Sequence, residues 1–402
     1  MVKLAWRNIW RNRQRTIVTM SAVFFAAFFC IIESSFEKGV WDRMLENMLS
    51  TQTGHIQIHG KEYWADKVID NFMLMDTATI RQLEGIENIT NVSPRVETFA
   101  MVSFETINKG IAVIGISPEK EAQKSNLPSR LVKGNYLSEA DNGILIGEGL
   151  SKYLNANIGD TLVLIGQGYH GASAAQLFAV RGIVKLMSSE MDNGMAYITL
   201  SAAQQFIDMP DGYSGILISI KDNNRLDETI RVIGNKLDTK NYAVYSWHFT
   251  MERMLQTGES NKAFSMFLLC IMYLIVGFGI LGTVIMMTTE RIHEFCVMIS
   301  LGMSRLRLAI VVSVELLVKS FIGVVMAIVV TLPLTYWFHV NPIRIYGMMA
   351  HTYVQFGMEP VLPMAVDSSI FINQIITIFI ISLFTIIYPI RRILRLELSK
   401  NK

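Results

Sequence analysis

Charges set inside apolar sequence are the side chains best placed to do chemistry in this chain. Glu315 and Lys319 stand four apart in the apolar stretch 308–338. On a helix that spacing puts a carboxylate and an ammonium on one face, one turn apart. Charges in such a stretch pair or face other helices, so the two read as a mutual ion pair or a subunit contact. A proton relay would need a third titratable partner, and none lies near in sequence. His55 and His59 flank Gln57 in GHIQIHG, where strand alternation puts the three on one face and Ile56 and Ile58 on the other. No third Cys, Asp or Glu sits at ligand spacing, so a solvated strand face is expected rather than a metal site. Gly166, Gly168 and Gly171 match the dinucleotide spacing after the strand-like TLVLI, but QLFAVRGIVK behind them reads as a strand, which predicts a hairpin loop. No G-x-x-x-x-G-K-S/T phosphate loop occurs, nor a convincing nucleophile elbow, zinc-protease motif or carboxylate pair. The chain is therefore expected to be no enzyme alone, to hold no metal or cofactor of its own, and to bind no nucleic acid.

Long apolar segments must position these residues. With 402 residues, 51% hydrophobic and 17% charged, the composition fits a membrane protein joined to a folded soluble part. Thr16 to Ile32, Ala263 to Thr289, Leu308 to about Phe338, and Ser368 to Ile390 are each long enough to cross a ~30 Å hydrocarbon core at about 1.5 Å per residue. Ahead of the first span, Lys3, Arg7, Arg11 and Arg15 repeat every four residues beside Trp6, Ile9 and Trp10, the pattern of an interfacial amphipathic helix over 1–15. Phe36, Val40, Met44 and Met48 continue a helical repeat beyond the first span, which predicts a stalk through about residue 50. A second stalk is expected from Thr250, as N-cap, into the span ending at 289. Between spans two and three, residues 290–307 hold Glu290, Arg291 and Glu294, then Phe295, Val297, Met298 and Leu301, then Gly302, Arg305 and Arg307. That order predicts a short amphipathic helix at the membrane face, presented to something soluble.

Residues 51–245 read as a soluble α+β domain with a mixed sheet, in two lobes because strand signals thin out around 120–138. Cys30, Cys270 and Cys296 all lie in or beside the spans, so the domain can have no disulfide and the thiols read as small apolar fillers. Phe24, Phe25, Phe28 and Phe29 on the first span, with Met266, Phe267, Met272 and Phe278 on the second, would suit an acyl-chain groove, although lipid-facing or packing residues look the same.

Glu290, Arg291, Glu294, Phe295, Leu301, Gly302, Met303, Ser304 and Arg305 follow, residue for residue, the motif of the FtsX-like ABC transporter permeases. The chain resembles that family, a type VII ABC transporter group that includes lipoprotein-releasing and macrolide-exporting permeases. Arg7, Asn8, Arg11, Arg15 and Thr16 resemble its N-terminus. Gly147, Leu150, Gly159 and Asp160 resemble its extracytoplasmic domain, with Ser151 where alanine is usual. Pro389, Arg391, Arg392 and Arg395 resemble its tail, without the later proline. An acidic residue at the position of Glu315 is frequent there.

The resemblance implies a membrane α-helical fold of four spans with a large extracytoplasmic α+β domain between the first two. It implies that Glu290, Arg291, Glu294, Phe295, Met298, Leu301, Gly302, Ser304 and Arg305 form a coupling helix that docks on a separate ABC ATPase subunit, where ATP and magnesium bind. A second permease chain, identical or homologous, is implied, as is mechanotransmission acting on a lipoprotein or lipid. Alternatives are a scaffold that activates periplasmic cell-wall hydrolases, or drug or peptide efflux. Lys and Arg crowd 1–15, 290–307 and 391–402, while the loop 339–367 has only Arg344. By the positive-inside rule the termini and coupling turn are then cytoplasmic, and the domain and the loop lie outside the inner membrane.

Overall fold

The computed structural model describes residues 13–186, 188–238, 240–355 and 360–396. The cationic stretch with Lys3, Arg7 and Arg11 and the residues past 396 lie outside these. Helix α1, Arg13–Met48, runs through the first apolar stretch and beyond it. Thr19, Val23, Ala27, Ile31 and Ser35, spaced by four, form its buried stripe, while Ile17, Val18, Phe25 and Phe29 point outward. The helix then loosens into a π-helical turn, Leu49–Thr53, the wider winding that often marks a functional position.

Among the described residues ten strands make up the main sheet: β1 Ile56–Gly60, β2 Ile89–Phe104, β3 Ile107–Ile116, β4 Leu131–Gly134, β5 Gly143–Gly147, β6 Thr161–Gln167, β7 Ser173–Val184, β8 Met195–Thr199, β9 Gly215–Ile220 and β10 Tyr242–Ser246. Helix α2, Pro118–Ser125, lies between β3 and β4. The strands form one sheet in the order β10-β1-β9-β2-β3-β8-β5-β7-β4, with β6 joining β2 to β7. The β3–β8 and β5–β7 pairs are parallel and the rest antiparallel, so the sheet is mixed. β6 and β7 pair in register from Gln167 and Ser173, which makes the glycine-rich segment the hairpin loop its sequence predicts.

Among the described residues three buried clusters lie along this sheet, the smallest around Ile116, Leu145, Val184 and Tyr197. Ile56, Ile58, Val92, Ile216 and Ile218 pack with Leu83 and Ile233 in one. Val96, Val102, Ile144, Ile146, Phe178 and Phe206 fill another. Each such side chain contributes roughly 1.5–3 kcal/mol on leaving water. The segment 120–138, thin in strand signal, holds α2, a 3-10 turn and the short β4 rather than a boundary between lobes, since β4 and the strands on either side belong to one sheet.

Past the sheet come the helices α3 Glu252–Glu290, α4 Ile292–Ser300, α5 Arg305–Val340 and α6 Ser368–Leu394. Thr250 is not the N-cap of α3; it ends a separate turn, Trp247–Thr250, and its hydroxyl bonds the Trp247 carbonyl. Among the described residues four helices, α1, α3, α5 and α6, are long and apolar enough to cross a membrane. α1, α5 and α6 bury Val23, Ala27, Val312, Leu316, Ala327, Ile378 and Ile386 against one another. α3 joins this cluster through Ile280 and Val284, but its Phe264, Met266, Phe267, Leu274, Ile275 and Phe278 stay exposed.

Candidate coupling site

α4 is a nine-residue helix between two one-residue events. Arg291 leaves helical geometry (φ −98°, ψ 4°) and lets α3 end and α4 begin. At the other end the Gly302 amide bonds the Ile299 carbonyl (2.9 Å) and the Met303 amide bonds that of Met298 (3.1 Å). This double closure requires a left-handed residue, and Gly302 supplies it at φ 96°. Ser304 then caps α5, its hydroxyl accepting from the Arg307 amide at 3.4 Å.

The nine sequence-derived contact residues separate into two groups. Glu290, Glu294, Leu301, Gly302, Ser304 and Arg305 are exposed, Leu301 by 83%, and Met298 is half-buried. Arg291 and Phe295 instead turn inward, 7% and 1% exposed. The physical reason is Glu315: Arg291 Nη1 lies 3.0 Å from both of its carboxylate oxygens, and the guanidinium sits 5.3 Å from the Phe295 ring centroid. Lys319 Nζ adds a bond of 2.7 Å to Glu315 Oε1. Arg291 Nε also reaches Glu294 at 3.4 Å. Glu315 therefore answers two cations in a buried site, an arrangement that fixes geometry and strands the other charges if one is removed.

The aromatic cluster on α1 does not share one face. Phe24 and Phe28 stack at 5.9 Å and pack against the span core, while Phe25 and Phe29, stacked at 6.4 Å, are more than half exposed. Met266 and Phe267 are also exposed, on α3.

The sheet domain holds what the sequence did not disclose. Gln57 and His59 are 8% and 6% exposed, so that face of β1 is covered rather than solvated. Beside it, Arg95 is 3% exposed and is saturated by Glu121 (2.8 Å from Nη2, 3.3 Å from Nε), the Gln52 carbonyl (3.1 Å) and the Thr51 carbonyl (3.0 Å). Burial works against the Arg95 charge, yet Glu121 raises its pKa; burial works against the Glu121 charge, yet Arg95 lowers its pKa. Lys124, one turn along α2, is buried and its Nζ has no hydrogen-bond partner. Burial, then the Arg95 charge, pushes its pKa down to about 7. A cleft of about 640 Å³ opens beside these groups, walled by Gln57, His59, Tyr63, Trp64, Arg95 and Glu97. Among the described residues no three His, Cys, Asp or Glu side chains could share a metal ion.

Four membrane-length helices, a mixed-sheet domain inserted after the first, and a short amphipathic helix at the bend between the second and third define the architecture of a multi-pass membrane protein. The profile of the MacB-like periplasmic core domain matches residues 16–236, and that of the FtsX-like permease C-terminal region matches residues 266–398. The chain belongs to this family of FtsX-like permeases, and its sheet domain is the extracytoplasmic one. It is 22% identical over 244 residues to the lipoprotein-releasing system transmembrane protein LolC of Xylella fastidiosa, covering 59% of this chain and 58% of that protein. It is 22% identical to the lipoprotein-releasing system transmembrane protein LolE of Haemophilus influenzae, over 63% of this chain and 64% of that protein. It is also 22% identical to the macrolide export ATP-binding/permease protein MacB of Escherichia coli, over 76% of this chain and 47% of that protein. The chain thus spans about half to two thirds of the length of these relatives.

Proposed function

We propose that this chain is the permease subunit of an ABC transporter, driven by a separate ATPase subunit that binds ATP and magnesium. The observation that carries this reading is the division of labour on α4. Arg291 and Phe295 root the helix in the span core, while Glu290, Glu294, Leu301, Ser304 and Arg305 offer a mixed charged and apolar face to a soluble partner. Closure of the ATPases would push on that face, and α1 and α3 would carry the motion to the extracytoplasmic domain. The exposed apolar length of α3 suits a second permease chain. The termini and α4 are cytoplasmic in this reading. The work done outside is the extraction or release of lipoproteins from the inner membrane, as the names of the LolC and LolE relatives suggest.

An affinity pull-down of the full chain from membranes in mild detergent, followed by mass spectrometry, tests both levels. An ATPase subunit recovered with wild type and lost with Glu294→Arg supports the permease reading; no ATPase in either sinks it. Lipoproteins in the retained fraction support release, whereas an outer-membrane channel or a cell-wall hydrolase in their place replaces it with export or hydrolase activation.

A further inference from the structure

The end of α1 is fastened to the sheet by side chains rather than by its own winding. A helix end leaves its last carbonyls without partners. Here three consecutive carbonyls of the π-helical turn are taken by the polar face of the sheet. Arg95 bonds those of Thr51 and Gln52, and Gln57 Nε2 bonds that of Thr53 at 2.9 Å. Arg95 is held by Glu121. Gln57 is held by His59, whose Nε2 lies 2.8 Å from Gln57 Oε1 while its Nδ1 lies 2.6 Å from the Ser214 carbonyl.

This last arrangement counts protons. The Ser214 carbonyl can only accept, so His59 Nδ1 must carry hydrogen. With the Gln57 amide nitrogen committed to the Thr53 carbonyl, Gln57 Oε1 also only accepts, so Nε2 must carry hydrogen too. Both nitrogens donate only in the imidazolium. In the neutral Nδ1–H tautomer, which keeps the shorter 2.6 Å bond to the Ser214 carbonyl, Nε2 is a lone pair facing an oxygen, and the relief is a flip of the Gln57 amide that turns its nitrogen to His59 and takes it from Thr53. The two amide orientations are chemically distinct states tied to one proton.

We propose that His59 is a proton-dependent positioning residue for this joint: the imidazolium latches the end of α1 to the sheet through Gln57, and the neutral ring releases the Thr53 carbonyl. The inference rests on the reading that α1 carries motion to the domain. The surroundings suit a ring that changes charge. Tyr63 stacks on it at 4.9 Å, and Trp64 and Tyr245 stand at 5.6 and 6.2 Å, faces that attract a cation. Gly215 on β9 makes room, since a Cβ there would lie 2.5 Å from the imidazole. The charged groups about the ring are Glu97 and the saturated Arg95 on β2 and Lys67 after β1. Burial lowers His59 from the ordinary 6.5, the Ser214 bond and Glu97 oppose this, and Lys67 adds to it. The ring is therefore neutral at pH 7.5 and takes its proton as the pH falls below that ordinary value.

A merely structural histidine and a latch differ in sign. A buried histidine with a lowered pKa weakens the folded domain as acid charges it, because the unfolded chain takes the proton more readily. The latch predicts the reverse within the turn. Hydrogen–deuterium exchange of the full chain in lipid nanodiscs at pH 7.5 and 5.5, corrected for intrinsic rates, reads both. Peptides over 49–58, including the Gly54 amide bonded to the Leu49 carbonyl, should be protected about fivefold more at pH 5.5, the worth of one capping hydrogen bond. The melting temperature should fall over the same interval. Gln57→Leu, which leaves His59 free to titrate, should abolish the pH response of the turn; His59→Gln should do the same and is read in its place if Gln57→Leu does not fold. Equal or weaker protection of the wild-type turn at pH 5.5, or a response that survives Gln57→Leu, overturns the proposal. ATPase recovery from the same preparations is scored separately, so failure of the latch and failure of the permease reading are distinguished.

Discussion

Arg291, Glu315 and Lys319 among the spans, and Arg95, Glu121 and Lys124 in the sheet domain, are two buried clusters built from the same three side chains. In each, an arginine from elsewhere in the chain meets a glutamate that has a lysine one helical turn further on. They part at the lysine. Lys319 Nζ lies 2.7 Å from its glutamate, whereas Lys124 Nζ has no partner because Glu121 is turned towards Arg95 and Ser93. The first cluster is closed and the second carries a spare, desolvated amine. An unpaired buried charge costs far more than a paired one, so similar composition predicts opposite responses to the same substitution.

The largest expected effect is at the closed cluster. Glu315→Ala leaves Arg291 and Lys319 buried without their shared counter-charge and should cost about 3–5 kcal/mol. Loss of a folded chain, or a large drop in midpoint by thermal unfolding in detergent, is the expected result. An unchanged midpoint would mean that the two cations find water in the variant.

The sharper test is a pair of lysine changes. Lys319→Met removes a satisfied bond and should destabilise by about 1–3 kcal/mol. Lys124→Met replaces a bare amine with an apolar chain of similar reach and should stabilise by about 1–2 kcal/mol, read by protease susceptibility of the sheet domain. Shifts of the same sign would erase the distinction between the clusters.

A pH series looks at the spare amine alone. Lys124 has a folded pKa of about 7 against 10.5 unfolded. Between those values the unfolded chain binds the extra proton, so domain stability rises with pH, by at most about 1.4 kcal/mol per unit. Lys124→Met should flatten that slope between pH 7.5 and 9. The smallest effect belongs to the cap of α4. Gly302→Ala meets no atom within 4 Å but forces a Cβ into a left-handed backbone, costing about 1 kcal/mol. It should loosen exchange at 299–303 while leaving Glu315 and its partners intact.

The two clusters were not equally legible. Glu315 and Lys319 could be paired from sequence because one helix period brings them together. Arg291 could not be added, since it lies in a motif whose resemblance assigned all its members to an outside partner, and only the bend after α3 turns it inward. Apolar runs announced the four spans, and alternation put His55, Gln57 and His59 on one strand face. Alternation does not say what covers a face. The cover on β1 comes from the π-helical turn, the segment carrying Tyr63 and Trp64, and β10, almost two hundred residues downstream. The Arg95–Glu121 pair joins a strand to a helix across a long hairpin, and neither residue stood out because single charges in a soluble domain are ordinarily solvated. The division of Phe24 and Phe28 from Phe25 and Phe29 follows the α1 stripe through Val23 and Ala27, which packing chose and composition did not.

The spacing of Glu315 and Lys319 also bears on how the chain enters the bilayer. A single ionised residue at the centre of a span raises the cost of insertion by roughly 2.5–3.5 kcal/mol on the translocon scale. Because the two charges sit on neighbouring turns of α5 and bond each other, the apolar stretch 308–338 carries no net charge of its own. The one-turn spacing of Glu315 and Lys319 thus lowers the insertion cost that either charge would carry alone.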